Sequence, residues 1–367
     1  MQGHGVPCPN SLESTVPEKP PDAPSIHVRR PRYAGRNPRT FHEKYKELNP
    51  ERYASEVQKV LDAGKTPAGS HVPIMVDEVL RCGGVRPGIV VVDCTLGGGG
   101  HTRAILERIQ PGGRVIGLDV DPVELARTDA DLRTAGWGPD TFTARHSNFA
   151  GLPQALAAAG LVAADLVLAD LGASSMQLDN PDRGFSFKSD GPLDMRMNPS
   201  RGIPASALIA RTDEAALSVL LSENADEPYA GIIAGLLKAS AAETTLAAER
   251  IVREGLARAQ PRLSKDDILL SVRRTFQGLR IAVNDELSAL DGLLRSLPYC
   301  LVPGGRGVVL TFHSGEDRRV KKAFQAGLRA GVYQEVADDV VRPSMDERRA
   351  NRRAASAKLR WAVAAGL

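Results

Sequence analysis

No stretch of this 367-residue chain approaches the ~20 consecutive apolar residues that a bilayer crossing requires. The N-terminus also lacks the apolar core of a secretory signal. Cysteine is scarce: Cys8, Cys82, Cys94 and Cys300 stand far apart, and no C-x-x-C pair exists. That spacing suggests neither a zinc site nor a disulfide framework. No metal is expected, and the thiols read as buried and reduced in a cytoplasmic protein. Net charge is only +3, so the field of the whole molecule is weak and the uneven placement of basic residues matters more.

Two phosphate-binding signatures are missing as well. The segment "VVDCTLGGGGHT", residues 91–102, sets four glycines after a β-branched run. A P-loop needs a lysine after its glycines, and none follows. A dinucleotide fingerprint, G-x-G-x-x-G, would need its third glycine at Thr102 or Arg103, depending on register. Asp119 ends the next predicted strand, where an acid holds ribose hydroxyls in nucleotide-binding α/β folds. A ribose without a pyrophosphate points to an adenosine-type ligand such as S-adenosylmethionine. The plainer alternative is a glycine turn that serves only strand–helix packing.

What is present is an α/β alternation. Residues 1 to about 28 are proline-rich and predict disorder. Residues 29–46, "RRPRYAGRNPRTFHEKYK", carry seven Lys or Arg against one acid, interleaved with Tyr33, Phe41 and Tyr45. Basic and aromatic side chains in that mixture suit phosphate contacts and base stacking, and a solvated linker stays open beside it. A transit peptide is a third option, which the early acids Glu13, Glu18 and Asp22 argue against. A short helix is predicted over 51–63, and the main fold begins near His71. Strands at "IVVVDCTL", "GGRVIGLDVD", "DTFTARHSNF" and "ADLVLADLGASS" alternate with helices, which predicts a doubly wound, mostly parallel sheet. Residues 176 to about 200 read as a loop, and about 204–275 as helices only. The alternation resumes with a helix at "NDELSALDGLLRSLPYCL", a turn and strand at "PGGRGVVLTF", a helix at "EDRRVKKAFQAGL" and a strand at "KLRWAVA". The predicted division is 1–70 as an extension, 71–181 with 284–367 as an α/β domain, and 182–283 as a loop plus all-helical insertion.

The block "DLGASSMQLDNPDRGFSFKSDGPLDMRMNP", residues 170–199, resembles the small-subunit ribosomal RNA methyltransferase H family. "HVPIMVDEVL", "DCTLGGGGHT", "TFQGLRIAVNDEL", "LVPGGRGVVLTFHSGEDRRVKK" and "SAKLR" match further blocks, so the likeness runs from about 71 to 362. The resemblance implies a Rossmann-like class I methyltransferase that uses S-adenosylmethionine on N4 of a cytidine in the decoding region of 16S rRNA. It implies the rRNA, within the 30S subunit, as partner. Oligomeric state stays open, a homodimer included. Matching positions imply cofactor roles for Gly97, Gly99, Gly100, His101, Asp119, Phe149, Asp170 and Gln177. A side chain at Gly99 or Gly100 is expected to obstruct the cofactor while leaving the fold largely intact.

Transfer to an exocyclic amine needs an acceptor aimed at an amine hydrogen, because the lone pair is delocalised into the ring. Asp170, or a backbone carbonyl nearby, is the candidate. His313, just after a strand end, is a second candidate for substrate contact or proton removal. Its segment also suits a helix cap, with Ser314 capping and Asp317 completing a box. Asp179, Asp182, Asp190 and Asp194 are expected to pair with Arg183, Lys188 and Arg196 rather than hold a metal. Residues 342–360 carry seven Lys or Arg against two acids, which alone reads as a solvated basic face and, given the resemblance, suits RNA backbone contact.

The sequence departs from the family pattern in the insertion. Asp226, Glu227 and Ala230 keep a motif in which Pro228 replaces an arginine, and the helix after it is nearly uncharged. Gly315 replaces a usual leucine. The drifted insertion keeps open the same fold acting on another RNA or DNA amine; a catalytically silent ribosome-binding protein is a second alternative, which the intact Gly99, Asp119 and Asp170 argue against.

Overall fold

The computed structural model describes residues 73–366. The disorder expected over 1–28, the basic segment at 29–46 and the helix expected over 51–63 lie outside the described residues.

Helix α1 (Val76–Cys82) leads into β1 (Val90–Asp93), α2 (Gly100–Ile109), β2 (Arg114–Asp119), α3 (Pro122–Thr134), β3 (Phe142–His146), α4 (Leu152–Ala158) and β4 (Ala164–Asp170). The apolar run of β1 is covered on both faces, as a central parallel strand requires. Val91 packs with Leu166, Leu168 and Val308 on one face, and Val92 with Val167, Ala169 and Val309 on the other. That alternation is the two-residue period of the pleat.

The sheet order is β3-β2-β1-β4-β5-β7-β6. Strands β1 to β5 pair in parallel, while β7 (Lys358–Ala364) runs antiparallel between β5 (Leu301–Thr311) and β6 (Tyr333–Val336). The expected doubly wound, mostly parallel sheet is therefore present. Strand order reverses between β1 and β4, which opens a crevice at their carboxyl ends. The pairing of β4 with β5 jumps from Ala164 opposite Leu301 to Leu166 opposite Arg306, so Pro303–Gly305 bulge out within the strand.

After β4 come α5 (Ser175–Asp179) and a long loop, then α6 (Ala205–Arg211), α7 (Glu214–Ala225), α8 (Ala230–Ala239), α9 (Thr245–Ala259) and α10 (Lys265–Asn284). Helices α6 to α10 close on an apolar cluster of their own, with Leu217, Ile233, Val252 and Val272 fully buried. Helix α8 spends its apolar face there, and its Lys238 donates to the carbonyls of Ile209 and Ala210 at the end of α6.

The return to the sheet differs from expectation. Helix α10 continues to Asn284, beyond the predicted end near 275, and Asp285 then breaks it in the left-handed region at φ 51°. Helix α11 (Glu286–Ser296) follows, and Leu297–Cys300 tighten into a 3₁₀ turn, so the predicted single helix ends earlier. Helix α12 (Ser314–Arg329) and α13 (Met345–Ala350) complete the described elements. Cys82, Cys94 and Cys300 are buried free thiols.

Candidate active site

The carboxyl ends of β1, β2 and β4 carry Asp93, Asp119 and Asp170. Above them lies a cavity of about 860 Å³. Its walls include the glycine turn after β1, the exits of β2 and β3, the Asp170–Leu178 segment and the Arg280–Leu290 junction.

Asp93 is buried and holds the turn from below, accepting from Thr102 Oγ1 at 2.7 Å and from the Thr95 amide at 3.1 Å. Thr95 Oγ1 in turn accepts from the Asp170 amide at 2.7 Å, so the exits of β1 and β4 are tied together. Asp119 accepts from the amides of Gly97 at 2.7 Å and Asp121 at 2.8 Å. Burial, opposed by these amides, raises its carboxyl to about 7.

The four glycines divide by role. Gly97, Gly98 and Gly100 line the cavity, and Gly99 does not. Gly99 caps α2 at φ 72°, and a Cβ there would stand 2.8 Å from Thr128 Cγ2 of α3. A Cβ on Gly100 would meet the Pro73 ring at 2.9 Å. Both positions are demanded by the fold itself, which corrects the expectation that a side chain there would spare it. Gly97 is the open one: at φ 47°, its Cβ would touch only the Thr95 carbonyl, at 3.8 Å.

His101 and Asp170 share the cavity wall, with His101 Nε2 3.4 Å from Asp170 Oδ2. Burial pulls the imidazole down, but the Asp170 and Asp93 carboxylates outweigh it and the net direction is up. Asp170 Oδ1 is buried and has no hydrogen-bond partner among the described residues. Phe149 lines the cavity just after Asn148. Gln177 lines it too, with its amide fully engaged: Oε1 accepts from the Ser174 amide at 2.9 Å and Nε2 donates to Asp121 at 2.9 Å.

His313 does not line the cavity. It caps α12, its Nδ1 accepting from the Glu316 amide at 3.4 Å, while the Glu316 carboxylate accepts from the His313 amide. The capping box is thus His313 with Glu316, one residue before the predicted pair, because the helix starts at Ser314. Ser314 and Arg318 instead donate to Asp226 at 2.8 and 2.9 Å, which spends the first motif acid on joining the insertion to α12. Its neighbour Glu227 is buried against Ser271 and the Tyr229 amide. Asp317 is held by Lys358 and Arg360, which keep its carboxyl below the usual range against the pull of burial. Gly315 leaves room for the capping ring, since a Cβ there would approach His313 Nδ1 to 3.1 Å.

The loop acids also pair differently from expectation. Arg196 does bind Asp194, but Arg183 reaches out of the loop to the fully buried Asp121 at 2.8 Å. Asp179 is met by Arg353 of the C-terminal segment at 2.8 Å, and Lys188 makes no ion pair among the described residues. Several wall residues carried no predicted role. Arg280 grips Glu286 with two hydrogen bonds, and Asn284 binds Met195 and Met197 across the junction. "RIAVNDEL" marked that segment without saying what its side chains do.

The family model of the MraW methylases matches residues 68–365. The chain belongs to this family. A relative in Lachnoclostridium phytofermentans, ribosomal RNA small subunit methyltransferase H 1, is 46% identical over 345 residues, covering 93% of this chain and 94% of its own. A span of 93% of the chain cannot be placed without taking in the basic segment at 29–46. In Alkaliphilus metalliredigens, ribosomal RNA small subunit methyltransferase H 2 is 47% identical over 342 residues, covering 92% of this chain and 97% of that one. The Myxococcus xanthus methyltransferase H is 47% identical over 256 residues, covering 70% of this chain and 80% of its own.

The cavity of the methylase fits S-adenosylmethionine. Gly97 and Gly98 leave backbone bare at one wall, Asp119 offers acceptors at the β2 exit, and Asp170 Oδ1 has acceptor capacity that the described residues do not use. None of the described residues forms a helix long and apolar enough to cross a membrane.

Proposed function

We propose that this methylase transfers a methyl group from S-adenosylmethionine to N4 of a cytidine in the decoding region of 16S rRNA, acting in the cytoplasm on the assembled small subunit. The observation that carries this reading is the family match over 68–365, joined by relatives near 46% identity that are named as small-subunit rRNA methyltransferases. The domain roles proposed from it are catalysis by 71–181 with 284–367 and substrate handling by 182–283.

The cofactor supplies an electrophilic methyl group on a sulfonium. Asp119 holds the ribose hydroxyls, and Phe149 covers the adenine. Gly97, Gly100 and His101 border the methionine end, while Gln177 stiffens the wall through Asp121. Asp170 accepts a hydrogen bond from the N4 amino group. That would localise the nitrogen lone pair as the N–C bond forms and the methyl–sulfur bond breaks, its electron pair staying on sulfur as a neutral thioether, and the carboxylate would take the proton lost from nitrogen. His101 keeps the Asp170 carboxylate oriented. Gly99 and His313 act through packing and capping, outside the chemistry. The base must leave its stack to reach these groups. Orienting two reactants in one cavity supplies much of the rate.

The test incubates the full chain and labelled cofactor with naked 16S rRNA, 30S subunits lacking the modification, or DNA. Modified nucleosides are then identified by mass spectrometry. Labelled N4-methylcytidine from rRNA or subunits is the expected product. Label in DNA or in another nucleoside, or none at all, rejects the reading.

A further inference from the structure

Four arginines line the cavity: Arg201, Arg280, Arg352 and Arg353. Two are committed. Arg280 is locked to Glu286 at 2.8 Å, and Arg353 holds Asp179 and Ser175. Arg201 and Arg352 are exposed and make no ion pair or side-chain hydrogen bond among the described residues. A guanidinium that faces a cavity mouth with no acid beside it is a ready phosphate ligand.

Their mounting is specific. Arg201 sits on the turn Asn198–Gly202, whose Arg201 amide donates to the Asn198 carbonyl at 3.1 Å. Asn198 touches His146 at 3.4 Å, which places that turn at the exit of β3. Arg352 sits on a C-terminal strap that folds back over the cavity. Glu347 of α13 accepts from the Met75 amide at 2.7 Å, and Arg353 fixes the next turn to α5 beyond the exit of β4. The two free cations are thus held on separate walls of one opening by contacts that do not use their own side chains.

We infer that Arg201 and Arg352 form a phosphate clamp at this mouth, gripping the backbone of the target RNA strand around the nucleotide that enters. This rests on the RNA reading given above. A base drawn into the cavity leaves its flanking phosphates at the rim, where backbone contacts fix register without reading sequence. The clamp also accounts for RNA docking in a chain whose α8 offers no basic face.

The test compares the full-length protein with the double variant Arg201→Ala/Arg352→Ala. Binding of 16S rRNA is measured across a salt series, with methyl transfer to 30S subunits and cofactor affinity measured alongside. Each lost single-strand phosphate contact should flatten the plot of log affinity against log salt by about 0.7, so the pair removes about 1.4. KM for subunits should rise roughly tenfold, with kcat and cofactor affinity held. Arg201→Lys/Arg352→Lys should restore the slope. Arg86→Ala, paired to Asp165 at the amino end of β4 and off the cavity wall, should leave KM alone. An unchanged slope and KM in the double alanine variant overturns the clamp. Weakened cofactor binding with unchanged RNA binding also overturns it, assigning the arginines to the cofactor carboxylate. Loss of RNA affinity in the double alanine variant, beside a wild-type protein that binds RNA but transfers no methyl group, would keep the clamp and reject the catalytic reading.

Discussion

His101 Nε2 stands 3.4 Å from Asp170 Oδ2, joining the first turn of α2 to the carboxyl end of β4 across the crevice. The imidazole is held above its usual 6.5 because the nearby carboxylates overcome burial. A raised histidine contributes stability that is full below pH 6.5 and is lost as pH rises through the folded value. Asp170→Asn removes the largest favourable partner, so His101 should titrate at lower pH than in the wild type. Proton NMR of its Cε1–H measures this directly. The same variant should lower kcat by roughly 10²- to 10⁴-fold, the range for a positioned acid–base group. An unmoved titration would separate the pair, and an unmoved kcat would end the acceptor role of Asp170.

Asp119 predicts a pH dependence of the opposite origin. Its carboxyl is raised from 3.8 to about 7, chiefly by burial. Between those values the folded protein keeps a proton that the unfolded chain has released. Stability from this group therefore falls as pH rises through the window, and is level above it. The slope of one such proton is about 1.4 kcal/mol per pH unit. Asp119→Asn should remove that slope, so the wild-type-minus-variant difference from urea unfolding at pH 4.5 to 8 should decline and then flatten. Cofactor binding should weaken in the variant at every pH.

The glycine turn separates packing, at Gly99, from cavity lining, at Gly97. Gly99→Ala combines φ 72° with a Cβ 2.8 Å from Thr128 Cγ2, which should cost roughly 2–4 kcal/mol of stability. Gly97→Ala keeps open space around its Cβ and should cost about 1 kcal/mol from its left-handed backbone. Cofactor affinity should show the reverse order of sensitivity per unit of stability lost. Thermal unfolding and titration calorimetry on both variants check this. Equal stability losses would refute the assignment of Gly99 to packing.

Much of the catalytic face was legible because its information is local. Asp93, Asp119 and Asp170 close β-branched or apolar runs, and a parallel sheet puts all such ends on one side. What the pattern could not show depends on residues far apart in the chain. Arg353 and Asp179, 174 positions apart, meet only because β7 inserts beside β5 and returns the C-terminal strap to the cavity. Strand β6 escaped because it has four residues at a sheet edge with only Tyr333 buried. The break at Asp285 turns on one left-handed residue, which periodicity cannot register between two helical patterns. The cap at His313 moved by one position because histidine is not among the usual capping residues.

Arg183 is the sharpest case of a long-range role hidden in a recognisable block. Its guanidinium meets Asp121 at 2.8 Å and the carbonyls of Arg196 and Met197 at 3.0 and 2.8 Å, and lies over the Phe185 ring. Asp121 is fully buried and also caps α3 and anchors Gln177. One arginine thus holds the β2 exit, the cavity wall at Gln177 and the loop around Arg196 in a fixed relation. Arg183→Met leaves a buried carboxylate without its cation and should cost about 3–5 kcal/mol. Arg183→Lys should recover only part, since an ammonium cannot span the same three acceptors as a planar fork. Asp226→Ala breaks a pair with Arg318 whose side chains are about half exposed, and should cost under about 1 kcal/mol. Urea unfolding of the three variants ranks them. If Arg183→Met proved as mild as Asp226→Ala, the buried pair would not be what holds the loop against the cofactor site, and the wall would have to be stable through Asn284 and its contacts alone.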